Sequence, residues 1–242
     1  MSAKPEIDFP AVLLAGGFGT RLRGVLPDLP KPLAPVRGRP FLAYLLDQLA
    51  EAGWTRAILC LHYKSEQIIE ALGDHHGALK LEYSVETEPL GTGGAVRLAL
   101  AKVNAPRFLL LNADSFCAAP LAEFAAFHRA HGRPASIVSV RVPDSARYGR
   151  LELAPDGRVL AFTEKKASTG AGPINAGIYI LESALAESIP TGRAVSLESE
   201  MFPSWLSQGL MAWETTATFI DIGTPESYAQ VESHLDGGET GA

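Results

Sequence analysis

The stretch that decides the fold is LLAGGFGTRLRGVLPDLPKP, Leu13 to Pro32, in which an apolar run gives way to a loop rich in glycine, proline and basic residues. The apolar run AVLLA, 11–15, predicts a buried β-strand. A glycine-rich turn at the carboxyl end of such a strand exposes backbone N–H groups where doubly wound α/β folds bind their ligands. We therefore expect this loop to hold a phosphate-bearing ligand, with an ordinary solvated surface loop as the alternative.

Apolar runs alternate with helix-like patterns along the next hundred residues. Strands are predicted at 56–61, 81–85, 107–112 and 135–142, and helices at 40–53, 65–73, 92–103 and 120–131. This alternation is typical of βαβ units. We predict a Rossmann-like α/β fold, three layers deep (α/β/α), with a mixed, mostly parallel sheet.

After residue 143 the pattern changes. The segment YGRLELAPDGRVLAFTEK, 148–165, predicts two strands joined by a Pro-Asp-Gly turn, which is a small antiparallel hairpin insert. Further apolar segments follow, and a last helix is predicted at 225–235, with Pro225 in its first position. We predict a single domain over 1–242, with a disordered tail at about 236–242.

Composition excludes several classes of partner. The 242 residues carry a formal net charge of −6, whereas proteins that bind nucleic acid or membrane surfaces usually present a basic face. No apolar run approaches the about 20 residues of a membrane span, and the first residues lack a signal-peptide pattern. The two cysteines, Cys60 and Cys117, have no metal-binding spacing. We expect a cytoplasmic protein with no nucleic-acid or membrane partner.

The glycine loop fits neither of two common phosphate-binding motifs. Gly17 and Gly19 match the first two glycines of the dinucleotide fingerprint, but the third position is Leu22. The P-loop motif fails because no Gly-Lys-Ser/Thr follows the glycines. A loop that offers backbone N–H groups together with the donors of Arg21 and Lys31 still suits a triphosphate.

Several motifs in a fixed order resemble those of the sugar-1-phosphate nucleotidylyltransferases, also called NDP-sugar pyrophosphorylases. They are LAGGFGTRL (14–22), LPKPLAPVRGRPFL (29–42), EPLGTGGA (88–95), LLLNAD (109–114), FTEK (162–165), NAGIYIL (175–181) and FIDIGTPESY (219–228). The resemblance covers about residues 11–235. It implies a nucleotidyltransferase fold and the reaction of an NTP with a sugar 1-phosphate to give an NDP-sugar and pyrophosphate.

The resemblance also implies roles for individual residues. It divides the chain into a nucleotide-binding part, about 9–143, and a sugar-phosphate-binding part, about 144–235. The implied catalytic residues are Arg21, Lys31, Asp114 and Lys165. The implied nucleotide contacts are Ala15, Gly16, Gly17, Gly19, Thr20, Arg21, Glu88, Gly93 and Asn112. In these roles Arg21 clamps the triphosphate, Lys31 reaches the α-phosphate, and Glu88 and Gly93 meet the base.

A magnesium ion and a sugar subsite complete the implied site. Asp114 and Asp221 each end an apolar run, and paired carboxylates suit Mg²⁺, although either alone could cap a turn. The implied sugar-phosphate contacts are Tyr148, Gly149, Glu164, Lys165 and Asn175. EKK stands here where many relatives have EKP, so Lys166 could replace or supplement Lys165.

The motifs look most like the branch of guanylyltransferases for D-glycero-D-manno-heptose 1-phosphate and its 6-deoxy relatives, which serve capsule and surface-glycan synthesis. That likeness implies GTP as the NTP. A mannose or glucose 1-phosphate enzyme using GTP, dTTP or UTP is the alternative. A catalytically silent sugar-nucleotide-binding subunit is disfavoured, because such a protein should lack key charges that this chain retains. Association into a homo-oligomer is a further possibility that the family suggests.

Overall fold

The computed structural model describes residues 7–22, 24–163 and 170–235. The β-strands are β1 Ala11–Leu14, β2 Pro35–Val36, β3 Arg39–Pro40, β4 Arg56–Leu61, β5 His75–His76, β6 Leu79–Val85, β7 Arg107–Asn112, β8 Ser115–Cys117, β9 Ala135–Val142, β10 Arg150–Leu153, β11 Val159–Thr163, β12 Gly172–Glu182, β13 Leu210–Thr215 and β14 Phe219–Asp221. The α-helices are α1 Phe41–Ala52, α2 Ser65–Leu72, α3 Gly91–Val103, α4 Leu121–His131, α5 Ser183–Ala186, α6 Phe202–Trp205 and α7 Pro225–Leu235. Short 3₁₀ turns cover Thr20–Leu22, Lys31–Leu33 and Leu206–Gln208, and a π-helical turn covers Leu197–Met201.

One large mixed sheet forms the middle of the molecule. β1 lies between β4 and β7 and is parallel to both, and β6 continues the parallel set beyond β4. On the other side of β7, β12 runs antiparallel, followed by β9 antiparallel to β12 and β13 parallel to β9. The predicted α/β fold with a mixed, mostly parallel sheet is confirmed.

Apolar side chains cover both faces of this sheet. Because successive residues of a strand point to opposite faces, Leu13 enters one hydrophobic cluster and Val12 the other. The first cluster includes α1 and α4, with Leu45 and Phe124 fully buried, and the second includes α3 through Ala99. This arrangement is the three-layer architecture that the sequence predicted. No helix in the described residues is both long enough and apolar enough to cross a membrane.

The predicted hairpin is present, as β10 and β11 joined by a tight turn in which Gly157 N–H donates to the Ala154 carbonyl at 2.9 Å. It extends the main sheet, because β10 pairs with the first part of β12. Its tip reaches the far edge of the sheet, where Ala212 N–H donates to the Gly157 carbonyl at 2.8 Å. A small pairing of β14 with β8 was not predicted, since strands of three residues carry no readable periodicity.

Candidate active site

A cleft of about 1270 Å³ opens at the carboxyl ends of the parallel strands β1, β4, β6 and β7. Open α/β sheets bind their ligands in this position. The cleft is larger than the about 300–1,000 Å³ of a usual small-molecule pocket. It therefore has room for two substrates side by side.

The glycine loop forms one wall of the cleft and is packed at its ends but open in its middle. A Cβ on Gly16 would lie 3.0 Å from the backbone nitrogen of His62, and Gly19 has a φ of +59°. A Cβ on Gly17 would have nothing within 4 Å. The middle of the loop thus leaves its backbone accessible to a ligand.

Arg21 and Lys31 both line the cleft, each on a 3₁₀ turn. Leu22 is buried and anchors the first turn, so the exposed Arg21 faces the cleft. Lys31 lies between two prolines, and its ammonium group donates to Asp114 Oδ2 at 2.9 Å. The Lys31 side chain is only 12% exposed, whereas that of Asp114 is 54% exposed. Lys31 is therefore held in place while the carboxylate remains accessible.

Asp114 and Asp221 are neighbours through the pairing of β8 with β14. Ile222 N–H donates to the Asp114 carbonyl at 3.1 Å, and Asp221 lies opposite Ser115. Asp221 accepts the Gly223 N–H, and its other oxygen lies 3.6 Å from the Arg147 guanidinium. The described residues contain no group of three or more potential metal ligands, so the protein would supply two carboxylates. Mg²⁺ commonly binds in this way, with water and phosphate oxygens completing its coordination.

The segment predicted to meet the base reaches the cleft, but not through Glu88 or Gly93. Glu88 is exposed and lies outside the lining of the cleft. Gly93 is also outside the lining, and its N–H donates to the Val195 carbonyl at 2.8 Å. In the stretch 86–95 the residues that line the cleft are Glu86, Pro89, Gly91, Thr92 and Ala95. The structure therefore does not bring Glu88 and Gly93 to the cleft, because the turn before α3 directs the first outward and packs the second against Val195.

Glu86 is a buried carboxylate, 8% exposed, at the end of β6. Its Oε2 accepts the Leu90 N–H at 2.8 Å, and burial raises the pKa of the carboxyl group, while His62 and the hydrogen bond from Leu90 act in the opposite direction. The rule that ligands bind at the carboxyl ends of parallel strands could have identified Glu86, since it follows β6 as Asp114 follows β7. The sequence alone did not show which of two nearby glutamates faced inward.

The opposite wall is built on a bulge in β12. The register of β12 with β9 shifts between Asn175 and Tyr179, and Gly177 has a φ of +75°. The Asn175 side chain is engaged within the bulge, because its Oδ1 accepts the Gly177 N–H at 2.8 Å and its Nδ2 donates to the Tyr179 hydroxyl at 2.7 Å. Asn175 lines the cleft and also fixes the shape of this wall.

Asn112, predicted as a nucleotide contact, lies on the floor of the cleft beside this bulge. Its side chain hydrogen-bonds the Tyr179 hydroxyl, and the pKa of that buried hydroxyl is raised, chiefly by burial. The Asn112 Oδ1 is buried without a hydrogen-bond partner among the described residues. An unpaired buried acceptor is costly in a closed structure, so this oxygen is suited to a ligand donor.

The remaining predicted sugar contacts divide into two groups. Tyr148 and Gly149 line the cleft: the Tyr148 ring packs edge-on against Phe219 at 5.4 Å, and burial raises the pKa of its hydroxyl. A Cβ on Gly149 would have nothing within 4 Å, so a ligand can approach its backbone. Glu164, Lys165 and the alternative Lys166 lie outside the described residues.

Among the other predicted residues, Ala15 and Thr20 line the cleft beside the glycines. Three residues that the sequence did not indicate also line it: His62, Arg147 and Glu198. His62 follows β4, so its position could have been inferred from the same strand-end rule. Glu198 comes from the π-helical turn Leu197–Met201, far along the chain from the end of α3 at Val103, and no sequence motif included it.

The fold and the cleft define an α/β nucleotide-binding protein whose site combines basic side chains with a pair of carboxylates. The chain belongs to the Nucleotidyl transferase family, whose sequence profile matches residues 10–237. The resemblance seen in the motifs is confirmed by this match.

Individual relatives agree with this placement. The chain is 38% identical over 226 residues to "Mannose-1-phosphate guanyltransferase" of Schizosaccharomyces pombe, covering 90% of this chain and 62% of that protein. It is 36% identical to "Mannose-1-phosphate guanylyltransferase" of Mycobacterium tuberculosis, covering 93% of this chain and 64% of that protein. The chain thus spans less than two thirds of the length of these curated relatives.

Solved structures match over nearly their whole length. HddC from Yersinia pseudotuberculosis, in a crystal structure with GMP-PN, is 36% identical with a TM-score of 0.84, covering 94% of this chain and 99% of that one. A putative glucose-1-phosphate thymidylyltransferase from Bacillus anthracis has the same TM-score, 0.84, at 20% identity, covering 96% of this chain and 97% of that one, and it supports the fold alone.

Proposed function

We propose that this protein transfers a guanylyl group from GTP to a sugar 1-phosphate, releasing pyrophosphate and forming a GDP-sugar. The observation that carries this proposal is the convergence of Arg21, Lys31, Asp114 and Asp221 on one cleft with room for two substrates. The reaction joins two polyanions, so the main barrier that a protein can lower is electrostatic. Fixed cations and a carboxylate pair are the groups that this requires.

In the proposed reaction an oxygen of the sugar 1-phosphate forms a bond to the α-phosphorus of GTP. The bond between that phosphorus and the oxygen bridging to the β-phosphorus breaks, and pyrophosphate leaves in line. No general base is needed, because the attacking oxygen belongs to an ionised phosphate. Arg21 and Lys31 balance the charge that accumulates on the phosphates, and the position of Lys31, fixed by its bond to Asp114, reduces the reorganisation that this costs.

Asp114 and Asp221 fit the divalent metal ion that nucleotidyl transfer of this kind uses. Both are oxygen donors at adjacent strand ends, and Asp114 is accessible from the cleft. A bound Mg²⁺ would neutralise phosphate charge and order the two phosphates. Lys31, bonded to Asp114, would then lie beside both the metal ligand and the phosphates.

GTP is favoured over other nucleotides by the chemistry of Glu86 and by the relatives. Guanine presents two N–H donors on its Watson–Crick edge, and a carboxylate can accept both. Glu86 is a carboxylate buried in the lining of the cleft. Two curated relatives carry guanylyltransferase names, and a solved relative was crystallised with GMP-PN.

For the sugar, two candidates stand beside each other. The motif pattern favours D-glycero-D-manno-heptose 1-phosphate or its 6-deoxy form, which would link the product to capsule or other surface glycans. The names of the curated relatives favour mannose 1-phosphate. Both sugars have the manno configuration, so we infer a manno-configured sugar 1-phosphate as substrate. The cytoplasmic location and a homo-oligomeric state stay predictions.

The experiment that tests the proposal measures pyrophosphate release with Mg²⁺ for GTP, dTTP, UTP, CTP and ATP against heptose, mannose and glucose 1-phosphates. We expect release with GTP and a manno-configured sugar phosphate. Release with another pair would retain the reaction class and replace the substrate assignment. No release with any pair would favour the catalytically silent binding protein.

Glu86→Gln tests the assignment of the base. The amide offers one acceptor and one pair of donors where the carboxylate offers acceptors alone, so we expect the preference for GTP over the other nucleotides to fall about 10- to 100-fold. Glu88→Gln is the matched control, because Glu88 is exposed outside the cleft. An unchanged preference in Glu86→Gln would contradict the role of Glu86.

A further inference from the structure

A further carboxylate, that of Glu198, lines the cleft from the π-helical turn Leu197–Met201. π-Helical turns are rare and often occur at functional sites. This turn is tied to α3 through Thr92, which accepts the Leu197 N–H at 2.8 Å and donates its own hydroxyl proton to Glu198 Oε2 at 2.7 Å. The Ser196 hydroxyl lies 3.2 Å from the same oxygen.

These contacts fix the carboxylate and differentiate its two oxygens. Glu198 Oε2 accepts from the two hydroxyls, Thr92 and Ser196, whereas no hydrogen bond within the described residues uses Oε1. A side chain held in this way loses little further entropy when a ligand binds. Glu198 therefore presents a pre-oriented acceptor.

The surroundings of Glu198 place it on the side of the cleft that holds the predicted sugar contacts. Helix α6 follows the π-helical turn directly, and its Phe202 ring stacks on Phe162 of β11 at 5.3 Å and packs at a tilt against Tyr179 of β12 at 4.8 Å. The Tyr179 hydroxyl is bonded to Asn175. Glu198 is also close enough to the Tyr179 hydroxyl to act on it electrostatically, so it lies near the bulge of β12.

The negative charge of the Glu198 carboxylate limits the ligand groups that it can bind. A phosphate close to an unpaired carboxylate would be repelled, and the acceptor Oε1 cannot bond an ionised phosphate. Sugar hydroxyls are neutral donors, and a carboxylate binds them strongly. Among the neutral N–H and O–H donors of the two substrates, the hydroxyls of the sugar ring are the ones expected on this side of the cleft, beside Tyr179 and Asn175.

We propose that Glu198 binds a hydroxyl group of the sugar 1-phosphate and contributes to the choice of sugar. Thr92 is the positioning residue that holds this carboxylate. This inference rests on the proposed function, because it assumes that a sugar phosphate occupies the cleft. It adds a specificity residue that none of the individual sequence motifs contains.

Steady-state kinetics of Glu198→Ala and Glu198→Gln test the proposal, with mannose 1-phosphate as the probe, or heptose or glucose 1-phosphate if the substrate panel favours one of them. A hydrogen bond to a charged group corresponds to about a 10- to 100-fold effect. We expect the KM for the sugar phosphate to rise by that factor in Glu198→Ala, while the KM for GTP changes less than twofold. Glu200→Gln is the matched control, since Glu200 is on the same turn but pairs with Arg193 outside the lining of the cleft.

Single-deoxy analogues of the same sugar phosphate separate direct contact from a structural effect. The analogue that lacks the bound hydroxyl should be a poor substrate for the wild-type protein and should lose nothing further in Glu198→Ala. Equal losses for every analogue, an unchanged KM for the sugar phosphate, or the same loss in Glu200→Gln would overturn the proposal. A wild-type protein inactive with every substrate pair would instead overturn the proposed function, so the two failures are distinguishable.

Discussion

The two walls of the cleft are built in opposite ways. On the phosphate side, the middle of the glycine loop has open space beside Gly17, and Arg21 is exposed. On the far side, Asn175 is bonded at both ends of its amide and Glu198 is held by Thr92. In the proposed function the open wall offers space and charge to the phosphates, whereas the hydrogen-bonded wall presents acceptors held in place to the sugar ring. In the proposed function the charged side chains of the phosphate side promote the reaction, and the rigid side chains of the far side select the sugar.

The largest effect is expected from Asp114→Asn, which removes charge between the two walls. We expect turnover to fall by about 10²–10⁴-fold, because the neutral amide is a poor metal ligand and no longer balances Lys31. Circular dichroism and Tm should remain close to wild type, since the Asp114 side chain is about half exposed. Asp74→Asn, an exposed carboxylate outside the cleft, is the control. Turnover within a few-fold of wild type would remove the assigned metal role.

Exchanging glycine for alanine on each wall tests whether the phosphate side is open and the far side is tightly packed. Gly177→Ala places a methyl group 3.0 Å from Ser115 Oγ and 3.1 Å from Asn112 at a φ of +75°, so we expect a loss of about 1–3 kcal/mol in the free energy of unfolding. Gly17→Ala meets nothing within 4 Å and its φ is not positive, so we expect stability within about 0.5 kcal/mol of wild type. Its added methyl group should still raise the KM for GTP.

Chemical denaturation and steady-state kinetics on the two variants provide the measurement. The proposed contrast between the two walls is contradicted if Gly17→Ala is as unstable as Gly177→Ala. The contrast is also contradicted if Gly177→Ala is as stable as the wild-type protein, because the bulge in β12 would then accommodate a methyl group as easily as the glycine loop.

The smallest effect concerns a hydrogen-bonded network away from the cleft, around His128 on α4. Its imidazole contacts Ser136 at 2.8 Å and Glu182 at 3.1 Å, and Arg107 lies 3.3 Å from the same Glu182 oxygen. Burial lowers the pKa of His128 from its ordinary value of 6.5, with Glu182 partly opposing this shift. As the pH falls below 6.5, His128 binds a proton more readily in the unfolded chain than in the folded protein. The free energy of unfolding therefore falls as the pH falls.

We expect the Tm to drop between pH 7 and pH 5, by a contribution from His128 of about 2–4 °C for a protein of this size. The comparison with His128→Gln isolates this contribution, because the amide does not titrate in that range. An identical pH profile in the two proteins would show that His128 does not link protonation to folding. The size of the difference would also show how much protonation within the His128 network, which lies outside the cleft, lowers the stability of the protein.

The predicted site residues that line the cleft lie near recognisable strands, whereas two that do not line it lie in or just after a short turn. Lys31, Asp114 and Asp221 line the cleft as the motifs suggested, because each closely follows or precedes a recognisable apolar run. Glu88 and Gly93, which were predicted to contact the base, lie outside the lining of the cleft, whereas Glu86 and Gly91 of the same stretch line it. A rotation of the chain by a residue or two in a short turn leaves no mark on the sequence pattern.

The amino-acid sequence by itself determined the α/β layering, the parallel core of the sheet and the position of the phosphate loop. Local periodicity and glycine placement encode these features, and neither depends on distant contacts. Only the tertiary structure decided that Asp221 lies beside Asp114 and that Glu198 joins Thr92, residues 106 positions apart. Such pairs form because packing of the sheet and helices brings distant segments together. The periodicity of one segment does not identify the segment that it will contact.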